Sequence, residues 1–145
     1  MLNQFSENTI IELAYYVYCL LDPEDNKIFY IGKGIGNRVF QHAKGVMADN
    51  AQTEKLETIK RIHNSGRQVK YYILIHGLKT NEIAFQFESF LIEFLHYKDF
   101  LEFSKLHNLQ RGHHSFLNGI NSVEEIESIY GAVPKDISYF TDSGK

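Results

Sequence analysis

The sequence predicts a single α/β (α+β) domain built on a small, largely antiparallel sheet with helices packed around it. Residues 15–21 and 28–31 are rich in β-branched, aromatic and apolar side chains, and the turn residues of 22–26 join them, which predicts a hairpin. Residues 69–76 alternate, with Val69, Tyr71, Ile73 and Ile75 on one face, which predicts a third strand. Segments of helical periodicity follow these strands.

The first two predicted helices follow the hairpin. Residues 32–36, Gly-Lys-Gly-Ile-Gly, are too rich in glycine for a regular element, and Asn37 is suited to cap a helix through residues 38–43. A second helix should place Leu56, Ile59 and Ile62 on one face and stop near Gly66.

Two further helices are predicted after the third strand. Thr80 or Asn81 can cap a long helix over residues 82–96. Ser122 and Glu125 have the spacing of a capping box, and Gly131 can end a short helix over residues 123–130. We therefore expect one domain over residues 1–145, with a core of about 13–112, an extension over 113–131 and a loosely held tail over 132–145.

Composition is that of an ordinary globular protein. Hydrophobic residues make up 43% of the chain and charged residues 23%. No apolar run approaches a membrane span, and the N-terminus lacks a basic stretch followed by an apolar one, so we expect a soluble, cytoplasmic protein. The one cysteine, Cys19, excludes an internal disulfide and fits a reducing compartment.

Basic charge is concentrated in the middle of the chain. The formal net charge of −3 does not favour binding of nucleic acid by bulk attraction. Residues 27–70, however, carry nine Lys or Arg against three Asp or Glu, whereas residues 1–26 carry five acidic side chains and no basic ones. This asymmetry indicates a phosphate-facing surface, with a solvated helix face as the alternative.

Glu88 is an anomaly in the long predicted helix. Its neighbours on the helical wheel form an apolar arc, whereas the polar residues lie together elsewhere. The arc consists of Ala84, Phe87, Leu91, Ile92 and Leu95, and the polar face of Glu82, Gln86, Ser89 and Glu93. A carboxylate directed at a core is costly unless it is neutralised, paired or bound to a metal. Oxygen ligation of this kind suits Mg²⁺ better than zinc, and a buried salt bridge or a place at the edge of the arc is the alternative.

Two short patterns before the second helix also suit phosphate chemistry. Arg38 and His42 are four residues apart on the predicted first helix, so they should share a face, where Arg38 can bind a phosphate and His42 can exchange a proton. The backbone amides of Gly32 and Gly34 could cradle a phosphate, although this segment matches no P-loop. A surface pair and an ordinary turn are the simpler explanations when each pattern is taken alone.

Taken in order, these residues resemble the GIY-YIG nuclease family. Tyr16-Val17-Tyr18 is similar to the first signature and Tyr30-Ile31-Gly32 to the second, and Lys33 follows it as in many members. The remaining matches are Arg38 and His42 to Arg-x-x-x-His, Glu88 to the single metal-binding glutamate, and Asn108 to a late asparagine. The resemblance covers about residues 13–112 and is closest to the subgroup seen in animal LEM-domain nucleases and stand-alone bacterial proteins. The first signature departs from the family pattern in beginning with Tyr16 rather than glycine.

The resemblance implies a three-stranded antiparallel sheet and a DNA endonuclease that uses one divalent ion, Mg²⁺ or Mn²⁺, on Glu88 and leaves 5′-phosphate and 3′-hydroxyl ends. It implies catalytic roles for Tyr18, Tyr30, Arg38 and His42, with Tyr18 preferred as the general base, and substrate contacts from Gly32, Gly34, Lys33 and Asn108. DNA is the expected partner, with no membrane and no small-molecule cofactor.

Two other classes remain open at this point. One is an inactive nucleic-acid-binding or regulatory module of the same fold, although such a module has no need of a buried Glu88. The other is a metal-binding protein that uses His107, His113 and His114, although their spacing matches no zinc pattern.

Overall fold

A three-stranded antiparallel sheet lies at the centre of the structure, as predicted. The computed structural model describes residues 2–41, 53–97, 105–108, 120 and 122–131. Strand β1 (Tyr15–Asp22) lies in the middle, between β2 (Lys27–Ile35) and β3 (Lys70–Leu78), and is antiparallel to both. The hairpin and the third strand are therefore confirmed, and the fold is α+β.

The described residues form four α-helices: α1 (Glu7–Leu13), α2 (Thr53–Asn64), α3 (Asn81–His96) and α4 (Val123–Tyr130). Of these, α1, α2 and α3 pack against the sheet. Thr80 caps α3 by accepting a hydrogen bond from the amide of Ile83, and the capping box of Ser122 and Glu125 begins α4. Helix α1 is not predicted by the sequence analysis; Ser6 caps it. Among the described residues, no helix combines the length and the apolar character needed to cross a bilayer.

The segment after Ile31 differs from the prediction in two ways. Strand β2 continues through the glycines to Ile35, because cross-strand pairing with β1 supplies its hydrogen bonds. A helix is predicted over residues 38–43, but in the described part of that range Arg38–Phe40 form a 3₁₀ turn, which the side chain of Asn37 does not cap. The side chain of Asn37 instead accepts a hydrogen bond of 2.7 Å from the amide of Phe5.

The sheet has an apolar core on each face. Tyr16, Tyr18 and Leu20 of β1 pack on the face covered by the 3₁₀ turn and α2, whereas Val17 and Cys19 pack on the face covered by α3. Both faces of β1 are therefore buried, as expected of a central strand covered on both sides.

The prediction that Val69, Tyr71, Ile73 and Ile75 of the third strand share one face is wrong for Ile75. Tyr71 and Ile73 pack on the α2 face, but Ile75 packs with Val17 on the α3 face. The pairing of β3 with β1 shifts at this point, because Val17 lies opposite Ile75 and Tyr18 opposite Ile73. A β-bulge of this kind inserts one residue and reverses the faces of those that follow.

The outer edge of β2 is covered by residues 105–108. The amide of Lys105 donates to the carbonyl of Ile28 at 2.9 Å, and that of His107 to Phe29 at 2.7 Å. The ammonium of Lys105 also binds the buried carboxylate of Asp22 at 2.8 Å, and Arg61 of α2 binds the same carboxylate. The two backbone hydrogen bonds protect the edge of β2, which would otherwise be exposed. The ion pair with Asp22 holds residues 105–108 to the end of the hairpin.

Candidate active site

One cleft beside β2 gathers most of the residues predicted to form the site. It has a volume of about 700 Å³ and is formed by β1, β2, the 3₁₀ turn and the first half of α3. Tyr15, Ile35, Gln41, Asn81 and Phe85 line it as well. The predicted residues that line it are Tyr18, Tyr30, Gly32, Lys33, Gly34, Arg38 and Glu88.

The glycines of β2 make room for the tyrosines of β1. Tyr18 pairs with Gly32 and Tyr16 with Gly34 across the antiparallel ladder. A Cβ on Gly32 would lie 2.6 Å from Cζ and Oη of Tyr18, and one on Gly34 would lie 2.9 Å from Cβ and Cγ of Arg38 and 3.1 Å from the Tyr16 ring. The Tyr18 ring therefore requires glycine at position 32, whereas at position 34 the stem of Arg38 leaves even less room than the Tyr16 ring. Gly32 and Gly34 lie in a strand rather than in the predicted loop, and their contact with a phosphate stays a prediction.

We expect Gly32→Ala to destabilise the protein by about 1–3 kcal/mol, because its methyl group would displace the Tyr18 ring from a filled core. Urea unfolding of wild type and variant measures the free energy of unfolding. The double variant Gly32→Ala, Tyr18→Leu is the control, since a smaller side chain should restore part of the loss. An unchanged stability in the single variant would contradict the close approach of ring and backbone.

Arg38 is held at the mouth of the cleft by the hydroxyl of Tyr16. That hydroxyl donates to the carbonyl of Gly36 at 2.7 Å and accepts from the amide of Val39 at 3.1 Å, so it bridges the two sides of the turn that carries Arg38. Tyr16 is fully buried, whereas the side chain of Arg38 is exposed and lines the cleft. The first signature thus supplies a residue that positions Arg38, a role the sequence analysis does not predict.

Glu88 lies in the middle of the buried face of α3. That face consists of Ala84, Glu88, Ser89, Ile92 and Leu95. The predicted arc is rotated from it, because Phe87 is exposed and Ser89, which was predicted on the polar face, is buried. Glu88 as a residue is only 7% exposed, yet it lines the cleft. The anomaly read from the helical wheel is therefore present in the fold.

The two signature tyrosines lie in different environments. Their ring centroids are 6.3 Å apart, but Tyr18 is 1% exposed whereas Tyr30 is only partly buried. Burial raises the pKa of Tyr18 well above its ordinary value, the neighbouring Tyr30 raises it further, and the charge of Arg38 lowers it only in part. Tyr18 therefore holds its proton firmly.

Two lysines approach the cleft differently. Lys33 lines it, and its ammonium donates a hydrogen bond of 2.9 Å to the side chain of Asn81 at the start of α3. Lys55 of α2 is 1% exposed, and its Nζ lies 4.2 Å from the centroid of the Tyr30 ring. The sequence analysis misses Lys55, although its spacing of four and seven residues from Ile59 and Ile62 places it on the core stripe of α2.

Asn108 lies outside the set of cleft residues. Its side chain accepts a hydrogen bond of 2.8 Å from the amide of Ile31 and donates one of 2.7 Å to the carbonyl of Ile31. The amide group is thereby used to cover the edge of β2 immediately before Gly32. Its predicted contact with substrate stays a prediction, and this geometry favours a role in positioning β2.

Of the four histidines given roles by the sequence analysis, the structure describes only His107. His42, His113 and His114 lie outside the described residues. His107 shares a hydrogen bond of 2.9 Å with Thr58 and lies 3.4 Å from the carboxylate of Glu54. Burial lowers the pKa of His107 despite that carboxylate. These contacts join the late segment to α2, away from the cleft.

The donor set of the cleft fits a hydrated magnesium or manganese ion. Among the described residues, no three or more His, Cys, Asp or Glu side chains are grouped to hold a metal. Glu88 offers a carboxylate in a cleft that is also wide enough for water and a phosphate. Mg²⁺ commonly binds in this way, through one or two carboxylates, several waters and substrate phosphate oxygens.

The chain belongs to the GIY-YIG family. The model of the LEM-3-like GIY-YIG domain matches residues 15–128, which include both signatures, Arg38 and Glu88. Members of this family are generally nucleases that act on nucleic acid with divalent metal ions. The resemblance read from the sequence, including its subgroup, is thus confirmed. No curated protein and no solved structure shows significant similarity to the chain.

Proposed function

We propose that this protein is a DNA endonuclease that hydrolyses phosphodiester bonds with one divalent ion and leaves 5′-phosphate and 3′-hydroxyl ends. The observation that carries the proposal is that Tyr18, Tyr30, Arg38 and Glu88 line one cleft. A binding module needs basic groups for phosphate but has no use for a buried carboxylate beside them, which would repel the DNA backbone.

Binding of the scissile phosphate is assigned to Arg38 and Lys33. Both lie at the cleft, and Arg38 offers a planar fork of donors to two phosphoryl oxygens. The contact of Lys33 with Asn81 holds its ammonium between β2 and α3. As negative charge grows on the phosphoryl oxygens in the transition state, the guanidinium of Arg38 stabilises it.

The general base is assigned to Tyr30. Water attacks phosphorus in line with the 3′ oxygen, its proton passes to the phenolate of Tyr30, and the bond from phosphorus to the 3′ oxygen breaks. The leaving 3′ oxygen takes a proton from solvent to become the 3′-hydroxyl, and Tyr30 returns its proton to solvent before the next turnover. The family resemblance favours Tyr18 for this role, but the burial of Tyr18 and its raised pKa make it the poorer proton acceptor. Tyr18 instead packs near the ring of Tyr30 and forms part of the cleft wall. Assistance from His42 stays a prediction.

Glu88 is assigned to the metal ion. Glu88 is part of α3 and lines the same cleft as Arg38 of the 3₁₀ turn. When bound, Mg²⁺ or Mn²⁺ supplies positive charge that stabilises the leaving 3′ oxygen. Burial of Glu88 between Ala84 and Ile92 on one face of α3 limits the movement of its carboxylate, which would be one ligand of the ion.

The purified protein is expected to cleave DNA only in the presence of a divalent ion. Supercoiled, linear, branched and single-stranded DNA should be incubated with Mg²⁺, with Mn²⁺ and with EDTA, and the products separated on gels. Cleavage of at least one substrate with metal and of none with EDTA supports the proposal. Tight binding of DNA without cleavage under any condition would favour the inactive binding module instead.

A further inference from the structure

A lysine buried next to the cleft faces one of its two tyrosines. Lys55 lies on the stripe of α2 that also carries Ile59 and Ile62, and all three are buried. A charged group in such a position is costly unless favourable interactions offset the loss of water. Its Nζ lies 4.2 Å from the centroid of the Tyr30 ring, a distance typical of a cation–π contact.

We propose that Lys55 is a positioning residue for cleavage, which holds the ring of Tyr30 and favours its phenolate form. The inference rests on the proposed function, because it takes Tyr30 as the acceptor of the proton from water. Lys55 is not one of the described residues that line the cleft, so it acts through Tyr30 and does not bind the phosphate itself. Lys33 and Arg38 are left to bind DNA.

The positive charge of Lys55 would lower the pKa of a tyrosine that acts as a base. A phenol with a pKa near 10 is mostly protonated at neutral pH and is then a poor base. A positive charge within about 4–6 Å lowers such a pKa by about one unit or more, and burial shields the charge of Lys55 from screening by salt. Glu88, which lines the same cleft, opposes this effect while its carboxylate is charged. The other titratable or charged groups that line the cleft near Tyr30 are Tyr15, Tyr18, Lys33 and Arg38.

The coupling can be measured without any nuclease assay. In protein labelled with ¹³C at tyrosine Cζ, the signal of Tyr30 is identified by its loss in Tyr30→Phe, and its midpoint is followed by NMR as the pH rises. In Lys55→Met the midpoint should rise by about one unit or more, whereas Lys55→Arg should keep it close to that of wild type. Lys60→Met is the matched control, because Lys60 is an exposed lysine on the same helix.

The effect on cleavage is measured by single-turnover kinetics across the same pH range. Lys55→Met should cleave about tenfold more slowly near neutral pH, approach the wild-type rate as the pH rises, and retain the affinity for DNA. Lys55→Arg should restore most of the neutral rate. Lys55→Gln provides a second neutral variant if Lys55→Met does not fold.

Three results would overturn the inference in distinguishable ways. If wild type cleaves DNA but the Tyr30 midpoint is the same in Lys55→Met and Lys60→Met, Lys55 has a packing role only. If the midpoint rises but cleavage at neutral pH is unchanged, Tyr30 is not the base. If wild type cleaves no DNA, the proposed function fails and the catalytic role of Lys55 fails with it, whatever the NMR titration shows.

Discussion

Glu88→Gln is expected to abolish DNA cleavage and to leave the fold intact. Glutamine keeps the size of the side chain but removes the negative charge and one of the oxygens available to a metal ion. A metal ion contributes several kcal/mol of transition-state stabilisation, so the single-turnover rate should fall about 10³-fold or more. The variant should also lose the rise in melting temperature that Mg²⁺ produces in wild type, since an ion that binds the folded state stabilises it.

The matched control for this change is Glu82→Gln. Glu82 lies on the same helix, in its first turn, but is exposed and is not among the cleft residues. It should cleave at the wild-type rate and respond normally to Mg²⁺. Near-normal turnover in Glu88→Gln would show that Glu88 does not bind the catalytic metal ion. If the variant unfolds and Mg²⁺ does not stabilise the wild type, Glu88 has a structural role instead.

Arg38→Lys should fail almost as completely as Arg38→Ala. Lysine keeps the positive charge but loses the planar fork that can donate two parallel hydrogen bonds to phosphoryl oxygens. A donor that stabilises transition-state charge in this way typically contributes about 10²–10³ in rate. Single-turnover kinetics at saturating DNA measures the loss in rate, and a binding assay separates it from the loss in affinity.

Arg67→Ala serves as the control for charge, because Arg67 is exposed and lies beyond the end of α2. It should change the affinity for DNA slightly and the rate not at all. If Arg38→Lys sustains near-normal turnover, position 38 supplies only general attraction for phosphate.

Local patterns were enough to predict most of the regular elements. The capping residues Thr80 and Ser122 and the apolar spacing of Ile59 and Ile62 depend on neighbours within one or two helical turns, so the sequence carries them directly. The hairpin is local as well, since its strands are joined by a short turn. These elements form as predicted.

The differences arise where distant contacts decide the backbone. Strand β2 extends through Gly32 and Gly34 because β1 pairs with it there. The absence of side chains on these glycines leaves room for the tyrosine rings of β1. Asn37 does not cap a helix because its side chain is occupied by the amide of Phe5, which lies far away in sequence. The bulge that turns Ile75 to the other face likewise depends on pairing between strands. None of these contacts has a local signal.

The candidate site was predicted mainly as an ordered set of residues. Family resemblance connected Tyr18, Tyr30, Arg38 and Glu88, which are remote in sequence, and the fold brings all four to one cleft. Lys55 was missed although helical spacing alone places it on the core stripe of α2, as the same reasoning placed Glu88 on that of α3. A charged residue at a core position of a helix can therefore be identified as a candidate functional residue from its spacing alone.

The central claim is hydrolysis of DNA by water that attacks phosphorus and expels the 3′ oxygen. It is tested most directly by cleavage of a short DNA substrate with Mg²⁺ in H₂¹⁸O, followed by mass spectrometry of both products. We expect one ¹⁸O atom in a new 5′-phosphate and none in the partner product, which should end in a 3′-hydroxyl. A 3′-phosphate end, a 5′-phosphate without ¹⁸O, or no product in either Mg²⁺ or Mn²⁺ would contradict the account.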